Sequence, residues 1–391
     1  MDNPFRYGEV ATGAHFTNRV AELAELAADL RSGQNVVIIS PRRYGKTSLV
    51  IRAMERLKQE RVLTAYLDLF RTPTKDRFAD RLAGAIYNGL VAPVERARQR
   101  ALELFQQLSI RPKITLNPDG TPSFEFTAGH RAHDLDRTIE DLLEMPGQIA
   151  RQRQRRVVLV LDEFQEVTSI DPHLPALMRA VFQHQGDVAH VFLGSKRHLL
   201  HHVFTDENEP LYKLAKPVTL RPINLDDFGE FIRERFAATE QHISEDALDR
   251  ILAITGGHPH DTQELCYFTW AEAYIQRTEA TPSLVERALS QVLEAEDAHY
   301  TTLWEGLSVH QRLVLTALVA DENEVFSEAY RRRHRLGAAS TVQRSLERLV
   351  ERELVEFAAQ GAYRVTDAFL RAWIAKLVGL DEGKRGVAVD R

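Results

Sequence analysis

Ser40-Pro41-Arg42-Arg43-Tyr44-Gly45-Lys46-Thr47 decides how this chain is read, because of what flanks it. Val36-Val37-Ile38-Ile39 before it is a short run of β-branched residues, the signature of a buried strand. From Ser48 to Gln59, Leu49, Ile51, Met54 and Leu57 recur at helical spacing. Strand, loop and helix in this order, with Gly-Lys-Thr at the helix start, form a phosphate-binding loop. Free backbone N–H groups and the helix dipole favour anions at that position. The pattern implies a nucleoside triphosphate held by Pro41, Arg42, Arg43, Tyr44, Gly45, Lys46, Thr47 and Ser48. Lys46 would reach the β- and γ-phosphates and the Thr47 hydroxyl would ligate Mg²⁺. Ser40 stands where the pattern usually has its first glycine, while Gly45, which must approach the phosphates, is present.

At 391 residues the chain is long enough for two or three domains with real cores. A net charge of −6 gives no global bias toward nucleic acid or a membrane surface, so any DNA contact must come from a local patch. One cysteine, Cys266, excludes a disulfide framework and suits a reducing cytoplasm. It sits in Leu265-Cys266-Tyr267-Phe268, which reads as core. With no signal peptide and no apolar stretch long enough to span a bilayer, the expectation is a soluble, cytoplasmic protein.

The first half alternates short apolar strands with amphipathic helices, the pattern of a parallel sheet covered on both faces. Leu63–Leu69 is the next strand, followed by a helix over Asp76–Leu90. A charged helix over Glu95–Leu108 and a hairpin over Lys113–Phe126, turning at Asn117-Pro118-Asp119-Gly120, interrupt the alternation and read as an insertion. A helix over Asp134–Arg153 leads to the strand Val157–Leu161, and Ala189–Leu193 is another strand. Beyond Pro222 the pattern turns helical: Asp226–Phe236, Ser244–Ile254, Asp261–Gln276 and Pro282–Glu294. The helices Val309–Val319, Ser327–Leu336 and Ser340–Glu351 then precede a hairpin of Leu354–Phe357 and Tyr363–Val365 across Gln360-Gly361, and a closing helix Ala368–Leu377. Three helices and a wing hairpin make a winged-helix arrangement.

Val157-Val158-Leu159-Val160-Leu161-Asp162-Glu163 is the partner of the phosphate loop. Two acids ending a buried strand need a cation and a water to face. Asp162 would hold Mg²⁺ through its water shell, and Glu163 would orient or deprotonate the attacking water. Val191-Phe192-Leu193-Gly194-Ser195 would lie between the two motifs, placing Ser195 to sense the γ-phosphate. Lys196 or Arg197 could approach as a cation; a solvated surface accounts for them equally well. His198, His201 and His202 have helical spacing but no cysteine or well-spaced carboxylate beside them, so they do not read as a metal site. Phe5, in Asn3-Pro4-Phe5-Arg6-Tyr7-Gly8, either covers an adenine or docks a terminal arm. Gly256-Gly257-His258-Pro259 closes one helix and opens another, and Gly257 and Pro259 could also touch nucleotide and report its state.

Together, Asn3-Pro4-Phe5, Phe16-x-x-Arg19-x-x-Glu22, Pro41–Ser48, Asp162-Glu163-Phe164-Gln165, Gly194-Ser195, Gly257-x-Pro259 and Tyr363-Arg364-Val365-Thr366-Asp367 resemble the archaeal-type family of prokaryotic P-loop ATPases, which lies between AAA+ and the STAND ATPases. The resemblance covers nearly the whole chain. It implies an α/β fold with an AAA-like three-layer core over 1–222 (insertion about 95–130), a helical lid over 223–298, a winged helix over 299–380 and a polar tail. It also implies ATP and Mg²⁺ as ligands, and Ser40 bears on turnover rather than on binding.

A winged helix can place its third helix in the DNA major groove. Here that helix would present Thr341, Gln343, Arg344 and Arg348, with Arg331, Arg332 and Arg333 close by to meet phosphates. Glu347, Glu351, Glu353 and Glu356 lie near and offset them. The leading expectation is an ATPase that couples nucleotide state to self-association and to double-stranded DNA, in replication, transposition or defence. The alternative is a STAND-like switch, triggered by a partner protein docked on the winged helix. A non-catalytic nucleotide scaffold fits least, because Lys46, Thr47, Asp162 and Glu163 are all present.

Overall fold

Apolar strands need cover on both faces, and the helices between them supply it. The computed structural model describes residues 2–11, 13, 16, 19–91, 105–106, 108–117, 122–126, 132–321, 324–357 and 362–380. The chain divides into two units, Arg19–Arg221 and Met1–Asn18 with Pro222–Arg391.

The first unit contains α1 (Val20–Ser32), β1 (Val36–Ile39), α2 (Lys46–Gln59), β2 (Leu63–Asp68), α3 (Lys75–Ile86), β3 (Lys113–Leu116), β4 (Pro122–Glu125), α4 (Ala132–Arg153), β5 (Val157–Asp162), α5 (Leu174–Phe182), β6 (Val188–Gly194), α6 (Arg197–Thr205) and β7 (Lys216–Val218). Five strands form one sheet in the order β2-β5-β6-β1-β7, with every neighbouring pair parallel. Each position of β1, β5 and β6 is buried, which is why these strands read as continuous apolar runs rather than alternating ones. As the sequence predicts, β6 lies between β1 and β5. The C-terminal ends of all three strands therefore meet at one edge of the sheet. That edge is where open α/β sheets bind ligands.

The helices fit the predicted ranges with local differences. α2 begins at Lys46, two residues earlier than expected, because Gly45 takes a left-handed conformation (φ 78°) and starts the helix directly. α3 ends at Ile86, and the predicted helix continues only as a wide π-turn over Tyr87–Val91. Gly89 explains the turn: a Cβ there would lie 2.3 Å from the Thr64 carbonyl of β2, so the backbone can approach the strand only without a side chain. The β3–β4 hairpin forms as read, and it packs on α3. The Phe126 N–H donates to Asp80 Oδ1 at 2.8 Å, and Phe124 stacks against Tyr87 and Phe105. Most of the predicted helix over 95–108, and residues 118–120 of the hairpin turn, fall outside the described residues.

The second unit contains α7 (Leu225–Ala237), α8 (Glu245–Thr255), α9 (Pro259–Gln276), α10 (Pro282–Glu305), α11 (Val309–Ala320), α12 (Glu328–Arg333), α13 (Ala339–Glu351), β8 (Val355–Phe357), β9 (Tyr363–Val365) and α14 (Ala368–Leu377). Several of its helix starts are capped by side chains, among them Asn224, Ser244 and a Ser308/Gln311 capping box. α10 runs eleven residues past its predicted end, since no glycine or proline interrupts it before Gly306. The wing strands pair antiparallel, and their turn at 360–361 and the tail from 381 lie outside the described residues. Among the described residues no helix is long and apolar enough to cross a membrane. Cys266 is buried.

Candidate functional site

The loop between β1 and α2 turns through two left-handed residues, Arg43 (φ 63°) and Gly45 (φ 78°). Such conformations turn successive amides toward a common point, which makes an anion-binding concavity. A Cβ built on Gly45 meets nothing within 4 Å, so the space over the loop is open. Lys46 Nζ donates to the carbonyls of Ser40 (2.9 Å) and Pro41 (2.6 Å). Ser40 is fully buried, and its hydroxyl has no hydrogen-bond partner among the described residues. Serine in the first glycine's place is thus accommodated inside the loop. Arg42 and Arg43 are exposed, whereas the Tyr44 ring is buried and only its backbone lines the loop.

Arg19 supports the loop from beneath. Only 3 % exposed, it donates through Nη2 to the Tyr44 carbonyl (3.1 Å) and the Arg221 carbonyl (2.9 Å), and through Nη1 to Glu22 (3.0 Å). Burial lowers its pKa. A buried guanidinium kept on two backbone carbonyls fixes the loop's shape.

Across the sheet edge, Thr47 Oγ1 donates to Asp162 Oδ2 at 3.0 Å, joining residues 115 apart in sequence. A hydroxyl beside a carboxylate is a hard oxygen pair of the kind Mg²⁺ takes, so these residues fit that ion. Asp162 is 6 % exposed and also accepts the Glu163 N–H at 2.8 Å and the Tyr66 hydroxyl. Glu163 itself is left-handed (φ 51°), an uncommon conformation for a residue with a side chain. Its Oε2 accepts from Ser195 Oγ at 3.1 Å and from Gln165 Nε2. Gln165 in turn lies on Gly194, where a Cβ would come within 2.2 Å of Gln165 Oε1.

The structure thus brings Lys46, Thr47, Asp162, Glu163 and Ser195 to one edge. Arg197 is the first residue of α6 and is half-buried, beside Lys196, which pairs with Glu166 at 3.4 Å. Phe5 lies elsewhere. It is 1 % exposed in the core of the helical unit, against Phe231 and Phe236, so it anchors the N-terminal arm there. Gly257 and Pro259 also belong to that unit. Gly257 accepts the Ile223 N–H, and a Cβ on it would lie 2.3 Å from the Ile223 carbonyl; Pro259 opens α9. Just after this turn, Asp261 accepts the Ala368 N–H at 3.4 Å, and Arg371 donates to the Ile254 carbonyl at 2.8 Å. The closing helix α14 is therefore tied to both sides of the Gly-x-Pro turn. Tyr66, Gln165 and Gly194 were not singled out as site residues by motif, since their roles depend on strand order. The register β2–β5, with Asp68 opposite Asp162, is the signal that finds Tyr66.

In the winged helix, Arg348 pairs with Glu351, Arg332 with Glu328 and Arg333 with Asp321. Gln343 donates to Glu347, Arg344 to the Ser340 carbonyl, and Arg331 to the carbonyls of Phe326 and Gly337. Thr341 is half-buried. Among the described residues no group of three or more His, Cys, Asp or Glu is placed to hold a metal, so His201 and His202 form no such cluster.

Residues 16–265 match the family model of an ATPase domain found predominantly in Archaea, and residues 298–376 match that of a probable winged helix domain. An uncharacterized WD repeat-containing protein of Synechocystis sp. is 23 % identical over 347 residues, 82 % of this chain and 26 % of that protein. The chain spans about a quarter of the length of that curated relative. Among solved structures, a Walker-type ATPase of Pyrococcus abyssi shares the fold at a TM-score of 0.65 and 16 % identity, over 95 % of this chain and 99 % of that one. The Orc1 protein of Aeropyrum pernix, solved in complex with DNA, does so at 0.50 and 16 %, over 96 % and 98 %. With its phosphate loop, its Asp-Glu strand end and its family match over most of the chain, this protein belongs to the ATPase family found predominantly in Archaea.

Proposed function

We propose that this chain is a cytoplasmic, Mg²⁺-dependent ATP hydrolase of AAA+/STAND type that couples nucleotide state to self-association and DNA contact. Its parts are a nucleotide-binding domain, expected over 1–222 but without its first 18 residues, which pack with the helical unit, then a lid (223–298), a winged helix (299–380) and a polar tail. The observation that carries the reading is the 3.0 Å hydrogen bond from Thr47 to Asp162, which joins the loop and the strand end in one oxygen site.

In this reading the amides of residues 42–48 wrap the phosphates, and Lys46 exchanges the carbonyls of Ser40 and Pro41 for β- and γ-phosphate oxygens. Thr47 and Asp162 hold the Mg²⁺, which when bound neutralises charge developing on the phosphoryl oxygens. Glu163 orients the attacking water and takes its proton. Ser195, released from Glu163, donates to the γ-phosphate, and Arg197 or a neighbour's arginine adds positive charge. Gly257 and Pro259 report the nucleotide to the lid.

DNA contact by Arg331, Arg332, Arg333, Thr341, Gln343, Arg344 and Arg348 draws support from the winged helix and from a fold shared with a protein solved in complex with DNA. Surface ion pairs are weak, so phosphates could replace the acids that hold these arginines. One observation favours docking of a protein instead: Phe357 on the wing (62 % exposed) and Phe326 in the turn before α12 are both exposed and packed edge-on to Tyr363. Steady-state ATP hydrolysis with and without duplex DNA, with Glu163→Gln as blank, tests both. Stimulation of several fold that fades with salt supports DNA; turnover indifferent to DNA supports a protein-triggered switch. Unchanged ATP affinity in folded Lys46→Ala would overturn the nucleotide site.

A further inference from the structure

Residues that face each other across a parallel sheet also meet diagonally when one side chain is long. Tyr66 on β2 lies beside Val160 on β5, one pleat behind the pair Asp68–Asp162. Tyr66 and Asp162 thus stand on the same face of the sheet, and the phenol reaches forward along it. Its hydroxyl donates to Asp162 Oδ2, the same oxygen that accepts Thr47 Oγ1. Oδ1 accepts the Glu163 N–H.

A carboxylate has about four lone-pair positions, two on each oxygen. Among the described residues, Thr47 and Tyr66 fill both on Oδ2 and Glu163 fills one on Oδ1. A single position, on Oδ1, is left for anything that arrives. Without Tyr66, Oδ2 would keep only the Thr47 hydroxyl, and a second lone pair, on Oδ2, would be open to anything that arrives. A tyrosine hydroxyl turned away from water needs a partner. Here that partner is the carboxylate that the proposed Mg²⁺ site requires.

We infer that Tyr66 is a positioning residue for the cation site: by holding Oδ2 of Asp162 it fixes the one lone pair that meets the Mg²⁺ water shell. The inference rests on the reading of Thr47 and Asp162 as Mg²⁺ residues. Residues that orient metal ligands typically change metal affinity about 10- to 100-fold when removed.

The test compares Glu163→Gln with Glu163→Gln/Tyr66→Phe, which keeps the ring and its packing. Binding of a fluorescent ATP analogue is titrated against Mg²⁺, with thermal melting to confirm folding. The expected result is a half-saturating Mg²⁺ concentration raised about tenfold or more by Tyr66→Phe. Analogue affinity in EDTA should be unchanged, and affinity should be restored in full at high Mg²⁺. A loss that Mg²⁺ does not restore, or an unchanged half-saturation, overturns the role of Tyr66 and leaves the metal site standing. Binding indifferent to Mg²⁺ in Glu163→Gln itself overturns the metal reading, and this inference with it.

Discussion

Ser195 Oγ donates to Glu163 Oε2 across 3.1 Å, so the polar residue at the end of β6 and the acid just after β5 are partners. Gln165 donates to the same oxygen. The glutamate is held by two neutral donors, and one of them is the group proposed to sense the γ-phosphate.

Ser195→Ala removes one of those donors and the proposed γ-phosphate contact together. The expected outcome is a fall in kcat of about tenfold or more, within the range of a lost transition-state hydrogen bond. KM for ATP should change less, because the phosphate loop is untouched. Steady-state kinetics separates the two. A rise in KM alone would show that Ser195 serves binding only.

Gly194→Ala tests the packing under Glu163. The new methyl group would lie 2.2 Å from Gln165 Oε1 and 2.7 Å from Leu200 Cδ1, so both side chains must move. Overpacking of this kind costs about 1–3 kcal/mol. Melting should shift down by a few degrees, while kcat falls through displacement of Gln165. Unchanged kcat in a destabilised variant would separate Gln165 from the chemistry.

Arg19→Ala leaves the carbonyls of Tyr44 and Arg221 without their shared donor. A lost hydrogen bond from a charged donor costs about 1.5–3 kcal/mol. ATP affinity, measured by calorimetry in the Glu163→Gln background, should weaken along with stability. Arg19→Lys should recover only part of either, since one ammonium cannot reproduce the guanidinium fork.

His190 makes stability depend on pH. It is fully buried on β6, stacked on Phe182, with Nδ1 3.1 Å from Asn35 Oδ1. Burial pushes its pKa down to about 3. The unfolded chain takes up the proton near pH 6.5 and the folded chain refuses it, so stability is full above that value and declines as pH falls toward 3. The slope is about 1.4 kcal/mol per pH unit. Between pH 7.5 and 5.0, urea unfolding of the parent should lose about 2 kcal/mol more than His190→Phe loses. Equal losses would place the acid sensitivity elsewhere.

The phosphate loop, the Asp-Glu strand end and the position of β6 were legible because each is a local pattern with a fixed physical cause. The place of β6 between β1 and β5 followed from the motifs, and Thr47, Asp162 and Glu163 came together accordingly. Less legible were contacts that depend on register and on turns. Tyr66 is an unremarkable strand tyrosine until β2 is set beside β5. Arg19 is one arginine among many until its carbonyl partners are known. For Phe5 the sequence left two readings open, adenine cover and a docked arm, and its packing on Phe231 and Phe236 is that of the docked arm. The end of α3 was misread because a wide turn carries the same apolar residues as a helix. Only the approach of Gly89 to β2 distinguishes them.

That approach has a bearing on how the molecule can associate. An open strand edge invites strands from other chains. Here β2, at one end of the sheet, is backed by the Tyr87–Val91 turn, and β7, at the other end, is three residues long and contains Pro217. Proline has no N–H to offer an incoming strand. Among the described residues the five-stranded sheet is thus closed at both edges to an incoming strand, so it does not extend from one copy of this chain into the next.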